Sequence, residues 1–203
     1  MDHVSFEEKL ERNPLRGVVR EYFEVKPLKD ILDPGKIDLA LHYCSRNGRG
    51  TALLHKYFEP VRIAAVDPDP NLVKLARESL AGFPVTVAQG SLTRLDYDEA
   101  SFDAVFVLGE LHNYPEWRDC LGEIARVTKP GGRFFIEELS AESFEYLLGR
   151  YFKTKADHRY DAMLRLGEFH DAVQSAGFEI ERFEQRKPFG LFTYFIMAAR
   201  KRA

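Results

Sequence analysis

A chain of 203 residues with 45% hydrophobic and 30% charged content has the size and balance of one soluble domain with a core of its own. Its formal net charge of -3 excludes the basic excess of a nucleic-acid binder, and its two cysteines, Cys44 and Cys120, are too few for a disulfide framework. The charged start MDHVSFEEKLERN has no apolar signal core and no run approaches the roughly 18 apolar residues of a membrane span, so a cytoplasmic protein is expected.

The first elements are two short helices, about Ser5–Arg12 and Leu15–Leu32. Ser5 and Glu8 have capping-box spacing, and Asp33-Pro34-Gly35 closes the second helix. Residues 1–36 are expected to form a helical cap on a single globular unit, residues 37–203. Strand-length apolar runs follow at Ile37–Tyr43, Arg62–Val66, Val85–Gln89, Ala104–Leu108 and Gly132–Glu137, with helices near Thr51–Phe58, Pro70–Ala81 and Pro115–Val127 between them. Strands that are apolar throughout and alternate with helices predict a parallel sheet covered on both faces. Right-handed crossovers make this a doubly wound, Rossmann-like α/β fold with a ligand crevice at the carboxyl ends of the strands. Two more helices are expected at Glu142–Lys153 and Tyr160–Ala176. The last two strands, Phe178–Arg186 and Leu191–Arg200, are joined only by Lys187-Pro188-Phe189-Gly190. So short a link forces an antiparallel hairpin and completes a seven-stranded, mostly parallel sheet.

The segment SFDAVFVLGELHNYPEWRDCLGEIARVTKPGGRFFI resembles the pattern FDLVVSSFVLHHL…REIARVLKPGGRLLI of class I methyltransferases that use S-adenosylmethionine (SAM), in the small-molecule branch that includes quinone-biosynthesis-type enzymes. QSAGFEIERF is similar to that family's entry into its final hairpin, and the likeness runs from about Ile37 to Lys201. The resemblance implies SAM as cofactor, S-adenosylhomocysteine as product and a small-molecule methyl acceptor, with no nucleic-acid partner.

Asp67, at the end of the second strand, is where the family places an acid that accepts both ribose hydroxyls of the cofactor. Two carboxylate oxygens suit a vicinal diol. Asp67 could instead cap the helix opening at Pro70, although Asp69 is better placed for that. Further cofactor contacts are implied at Tyr43, Cys44, Ser45, Pro68, Ser91, Leu92 and Leu108. Ser91 stands where the family has an acid for the adenine amine, and is equally well read as part of a strand-end turn. The family's glycine loop, LDLGCGTG, here reads LHYCSRNG over residues 41–48: His42 replaces the acid, and Cys44 and Arg46 replace two glycines. Glycine serves there because backbone passes close to the ligand, so Arg46 must point elsewhere or obstruct the methionine end of SAM. Two lost contacts at about 1.4 kcal/mol each would weaken binding about a hundredfold. Asp38 is a candidate for the missing acid, four residues early.

Gly109-Glu110-Leu111-His112-Asn113-Tyr114 follows the fourth strand, where the methyl group should lie. His112 is a candidate general base with Glu110 orienting it, or a histidine that only shapes the loop. Trp117 is expected to pack its helix, and Lys129-Pro130-Gly131-Gly132 to turn the chain into the next strand. Tyr151, Phe152, His158 and Tyr160 either line a substrate pocket or pack on the sheet, and Tyr22 and Phe23 would close the crevice from the other side. Cysteine and histidine spacings show no metal motif, and no Walker loop or Gly-x-Ser-x-Gly elbow is present. Two other readings remain: a methyltransferase-like binding or regulatory subunit with impaired cofactor use, and a nicotinamide oxidoreductase, which the lack of G-x-G-x-x-G and the closing hairpin disfavour.

Overall fold

The structure, a computed structural model, describes residues 17–18, 20–144, 163–187 and 193–203. A seven-stranded sheet forms its centre. The strands are β1 (Leu39–Tyr43), β2 (Arg62–Asp67), β3 (Val85–Gln89), β4 (Phe102–Leu108), β5 (Thr128–Leu139), β6 (Phe178–Arg186) and β7 (Tyr194–Lys201), in the spatial order β3-β2-β1-β4-β5-β7-β6. The first five are parallel, and β7 inserts antiparallel between β5 and β6. The order reverses between β1 and β4, so the crevice opens at the carboxyl ends of these two strands. Predicted and observed strands agree to within four residues at each end.

Successive residues of a strand face opposite sides, and β4 shows what this does to the core. Val105 and Val107 join one buried cluster with Trp117, Leu121 and Phe169, from helices α4 (Trp117–Val127) and α5 (Leu166–Ser175). Ala104, Phe106 and Leu108 face the other, with Leu28 of α1 (Lys26–Ile31) and Leu54 and Phe58 of α2 (Arg49–Phe58). Phe106 stacks on Phe135 with ring centroids 4.9 Å apart, and Phe58 meets both rings edge-on at 4.8 and 5.2 Å. Helix α3 (Pro70–Ser79) covers β2 and β3.

Several local expectations are corrected. The span predicted as one helix, Leu15–Leu32, is helical where described, as far as Ile31, but not uniformly so: Arg20–Val25 is a π-helical turn that runs into α1, whose Pro27 lies in the first helical turn where its missing N–H is tolerated. Lys129-Pro130-Gly131-Gly132 does not precede the fifth strand but bulges within it: Thr128 already pairs with Phe102, and pairing resumes at Arg133 with Ala104. A Cβ on Gly132 would lie 2.9 Å from the Lys129 carbonyl oxygen, and Gly131 has φ 77°. Helix α5 starts at Leu166, six residues later than expected. Ala141–Phe144 is a 3-10 turn, and the remainder of the helix predicted from Glu142 lies outside the described residues, as do the first predicted helix and Tyr151, Phe152, His158 and Tyr160. Trp117 is buried against Phe169, as expected for packing.

Candidate cofactor and active site

Asp69 caps α3, accepting the Asn71 N–H at 2.8 Å, which leaves Asp67 for another task. The Asp67 carboxylate is fully buried and accepts the backbone N–H groups of Arg46 at 2.7 Å and Asp69 at 3.0 Å. Burial raises its pKa, while those two N–H bonds and the Cys44 thiol oppose the rise. A carboxylate has about four acceptor sites, so these bonds do not exhaust it. The loop after β1 is fastened to the end of β2 through this side chain and through the Ser45 N–H to the Val66 carbonyl, 3.2 Å.

The glycine replacements keep the glycine backbone. Cys44 and Arg46 have φ of 59° and 48°, in the left-handed region that glycine occupies without strain. Gly48, at φ 84°, would be strained as any other residue, and a Cβ there would lie 2.5 Å from Ser79 Oγ and force that side chain to shift. Cys44→Gly is therefore expected to leave stability within about 1 kcal/mol of the unaltered protein, because relief of strain offsets the entropy of the added glycine, whereas branched Cys44→Val costs about 1–3 kcal/mol. Urea midpoints of the two variants check this. Burial, with Glu110 and Asp67 nearby, pushes the Cys44 pKa well up, so its thiol stays protonated and is no nucleophile.

His42, in the acid's place, is no substitute for a carboxylate. It is buried under α2, with Nδ1 2.8 Å from Thr51 Oγ1, and burial followed by the nearby Arg20 cation lowers its pKa to about 3. Asp38 does not supply the missing acid, because it precedes β1 at the opposite end of the sheet and is bonded to Lys36. Ser45 Oγ is buried and has no hydrogen-bond partner among the described residues. Buried hydroxyls are nearly always bonded, so this one is suited to a ligand atom.

The loop after β4 differs from expectation at its acid. Glu138, fully buried on β5, holds His112, not Glu110. It accepts from His112 Nδ1 at 2.5 Å and from the backbone N–H groups of Leu111, His112 and Leu139 at 2.7, 3.2 and 2.8 Å. Sequence reasoning missed Glu138, which lay just past the predicted end of the fifth strand and is the eleventh residue of the observed one. Glu110 accepts instead from Arg46 Nε at 2.6 Å, with Arg46 Nη2 on the same oxygen, and from Asn113 Nδ2 at 3.1 Å. Burial would lower the His112 pKa, but the Glu138 carboxylate outweighs it and the net shift is upward. The Tyr43 and Tyr114 hydroxyls bond to each other beside this loop, and burial pushes Tyr43 up to about 12.

The remaining predicted contacts flank these groups. Leu92 and Leu108 are buried beyond β3 and at the end of β4. The Pro68 carbonyl accepts from Gln89. Ser91 Oγ is engaged in its own turn, 2.9 Å from Thr93 Oγ1 and accepting the Thr93 N–H. Phe23 packs on the core cluster of α1 and α2, but Tyr22 is 57% exposed and closes nothing. Among the described residues, no group of three His, Cys, Asp or Glu side chains is placed to hold a metal ion, and no helix is long and apolar enough to cross a membrane.

The family description "Methyltransferase domain" matches residues 41–136, the span from β1 to β5 that carries both loops. Over these residues the chain is similar to methyltransferase domains, and its fold is the class I, Rossmann-like one. The domain is 31% identical over 121 residues to a demethylmenaquinone methyltransferase of Shouchella clausii, covering 56% of this chain and 52% of that protein. This chain thus spans about half the length of the curated relatives it matches. Among solved structures, a Haloferax volcanii methyltransferase in complex with the Trm112 activator superposes with TM-score 0.77 at 16% identity, covering 94% of this chain and 95% of that one. A Bacillus halodurans methyltransferase gives 0.73 at 17%, covering 88% and 99%. Identities this low speak for the fold alone.

Proposed function

We propose that this methyltransferase domain binds SAM and transfers its methyl group to a small-molecule acceptor in the cytoplasm. The observation that carries the proposal is the buried Asp67 carboxylate at the end of β2, bonded to a loop whose backbone keeps the left-handed turns of glycine at Cys44 and Arg46. Asp67 holds the ribose diol, and Leu92 and Leu108 provide apolar walls for the adenine. Pro68, Tyr43, Cys44 and Ser45 complete the lining, the Ser45 hydroxyl taking a ligand atom. Ser91 contributes through its turn. When bound, SAM supplies a methyl group on a sulfonium, an electrophile with a good leaving group, so the chain has mainly to orient the acceptor and take its proton.

His112 is the group for that proton. Its Nδ1, held by Glu138, keeps a hydrogen and puts the basic lone pair on Nε2. The raised pKa gives the pH dependence a sign. Transfer should increase with pH through a value above the ordinary 6.5, because only neutral His112 accepts a proton. Stability should run the other way: the charged His112–Glu138 contact contributes fully below pH 6.5 and is lost as pH passes the raised pKa. Melting temperatures of the protein and its His112→Gln variant, from pH 5.5 to 9, should therefore differ most at the acid end.

The direct test uses SAM carrying a radiolabelled methyl group and a panel of quinols, catechols and amines, chosen because the curated relatives act on a quinone precursor. Label transfer to any of them, lost in Asp67→Ala, supports the proposal. SAM binding without transfer to any acceptor would favour the second reading, a binding or regulatory subunit, for which His42, Cys44, Arg46 and Ser91 are the motivation.

A further inference from the structure

Two charged residues meet where the family patterns have none. Arg46 stands at a glycine of LDLGCGTG, and Glu110 at the valine of FVLHH. Their side chains are bonded to each other, Nε and Nη2 on one carboxylate oxygen, and are only 15% and 6% exposed. The pair joins the loop after β1 to the loop after β4, neighbouring strands whose carboxyl ends frame the crevice, since Tyr43 pairs with Val107. Arg46 also donates its backbone N–H to Asp67, so this ion pair is one peptide unit away from the carboxylate assigned to the ribose.

A buried ion pair is a poor device for tying two loops together. Desolvating both charges costs several kcal/mol per ion, on the order of what their attraction returns, and uncharged residues would join the loops as well. The same pair suits a ligand that itself carries one positive and one negative charge. The amino-acid end of SAM is such a ligand, an α-carboxylate beside an α-ammonium. A guanidinium presents a planar fork that matches a carboxylate, and Glu110, steadied through its second oxygen by Asn113, can accept from an ammonium.

Building on the methyltransferase reading, we propose that Arg46 and Glu110 select the amino-acid end of the cofactor: the guanidinium takes its α-carboxylate and the Glu110 carboxylate its α-ammonium, so that one internal ion pair gives way to two across the ligand. The exchange leaves no charge uncompensated and breaks no covalent bond. It also turns the departure at Arg46 from an obstruction into a recognition group.

The test compares two ligands that share the adenosine part. S-adenosylhomocysteine carries the amino-acid end, and 5′-methylthioadenosine lacks it. Both are titrated calorimetrically into the unaltered protein and into Arg46→Ala, Arg46→Lys and Glu110→Gln. The expected result is S-adenosylhomocysteine binding weakened about tenfold or more in Arg46→Ala and Glu110→Gln and less in Arg46→Lys, with methylthioadenosine changed by no more than about twofold. Unchanged or tighter S-adenosylhomocysteine binding in Arg46→Ala would identify a plug and overturn the proposal. So would an unaltered protein that binds the two ligands equally. Failure of that protein to bind either ligand overturns the methyltransferase reading, and this inference with it. Methylthioadenosine also reports folding: if Arg46→Ala loses it, Arg46→Lys and Glu110→Gln decide by the same criterion.

Discussion

Phe106→Ala should destabilise the protein by about 3–5 kcal/mol, the range for removing a fully buried phenylalanine from a core that cannot collapse around the cavity. The site cannot collapse readily because three rings share it. Phe106 lies nearly parallel to Phe135, with an interplanar angle of 9°, and Phe58 stands against both. Each ring comes from a different element, β4, β5 and α2, so no single side-chain rotation refills the space. The consequence reaches the site, because β4 delivers Leu108 and the His112 loop and α2 follows directly from the loop containing Arg46. Urea unfolding should show a lower midpoint with an unchanged slope. A loss under about 1 kcal/mol would mean that this face of the sheet is less tightly packed than the ring geometry implies.

The same residues explain why the fold was legible in the sequence. A strand buried on both faces must be apolar at nearly every position, and FDAVFVL and RIAAVD show this without reference to any partner. The link expected before the last strand was too short for a parallel return, which set the antiparallel end of the sheet by reach alone. What the sequence concealed is which acids meet which partners. Glu110 is two residues from His112 and looked like its orienting group, yet neighbours in a loop need not point at each other. Glu138, 26 residues away on the adjacent strand, takes that place. The loop of residues 41–48 misled in a different way. Loss of two glycines suggested lost cofactor contacts and an Arg46 that points elsewhere or obstructs, and gave no sign that the hydrogen bond from the Arg46 N–H to Asp67 and the packing of Gly48 against Ser79 hold the turn while Cys44 and Arg46 accept the strain. The bulge at Lys129–Gly132 was hidden because proline and glycine mark an interruption equally well before a strand or within one.

Asp67→Ala should weaken cofactor binding about a hundredfold or more. Hydrogen bonds to a charged group contribute about 1.5–3 kcal/mol each, and a ribose diol makes two, so the lower end of the range already reaches that factor. The variant also leaves the N–H groups of Arg46 and Asp69 without their acceptor, which loosens the loop as well as removing the contact. Asp67→Asn separates the two effects. It keeps the shape and one acceptor oxygen, so the loop should hold while the charge-assisted part of the affinity is lost, placing its binding between that of the alanine variant and the unaltered protein. Equal affinities for all three proteins would remove Asp67 from the site.

The measurement that bears most directly on the account is a calorimetric titration of S-adenosylhomocysteine into the unaltered protein, with Asp67→Ala measured beside it. The account predicts micromolar binding that falls by about a hundredfold in the variant, because a loop with Cys44 and Arg46 in left-handed turns still presents Asp67 to a ribose. No binding by the unaltered protein at millimolar ligand would contradict it, and would mean that this chain keeps the methyltransferase fold without the cofactor site.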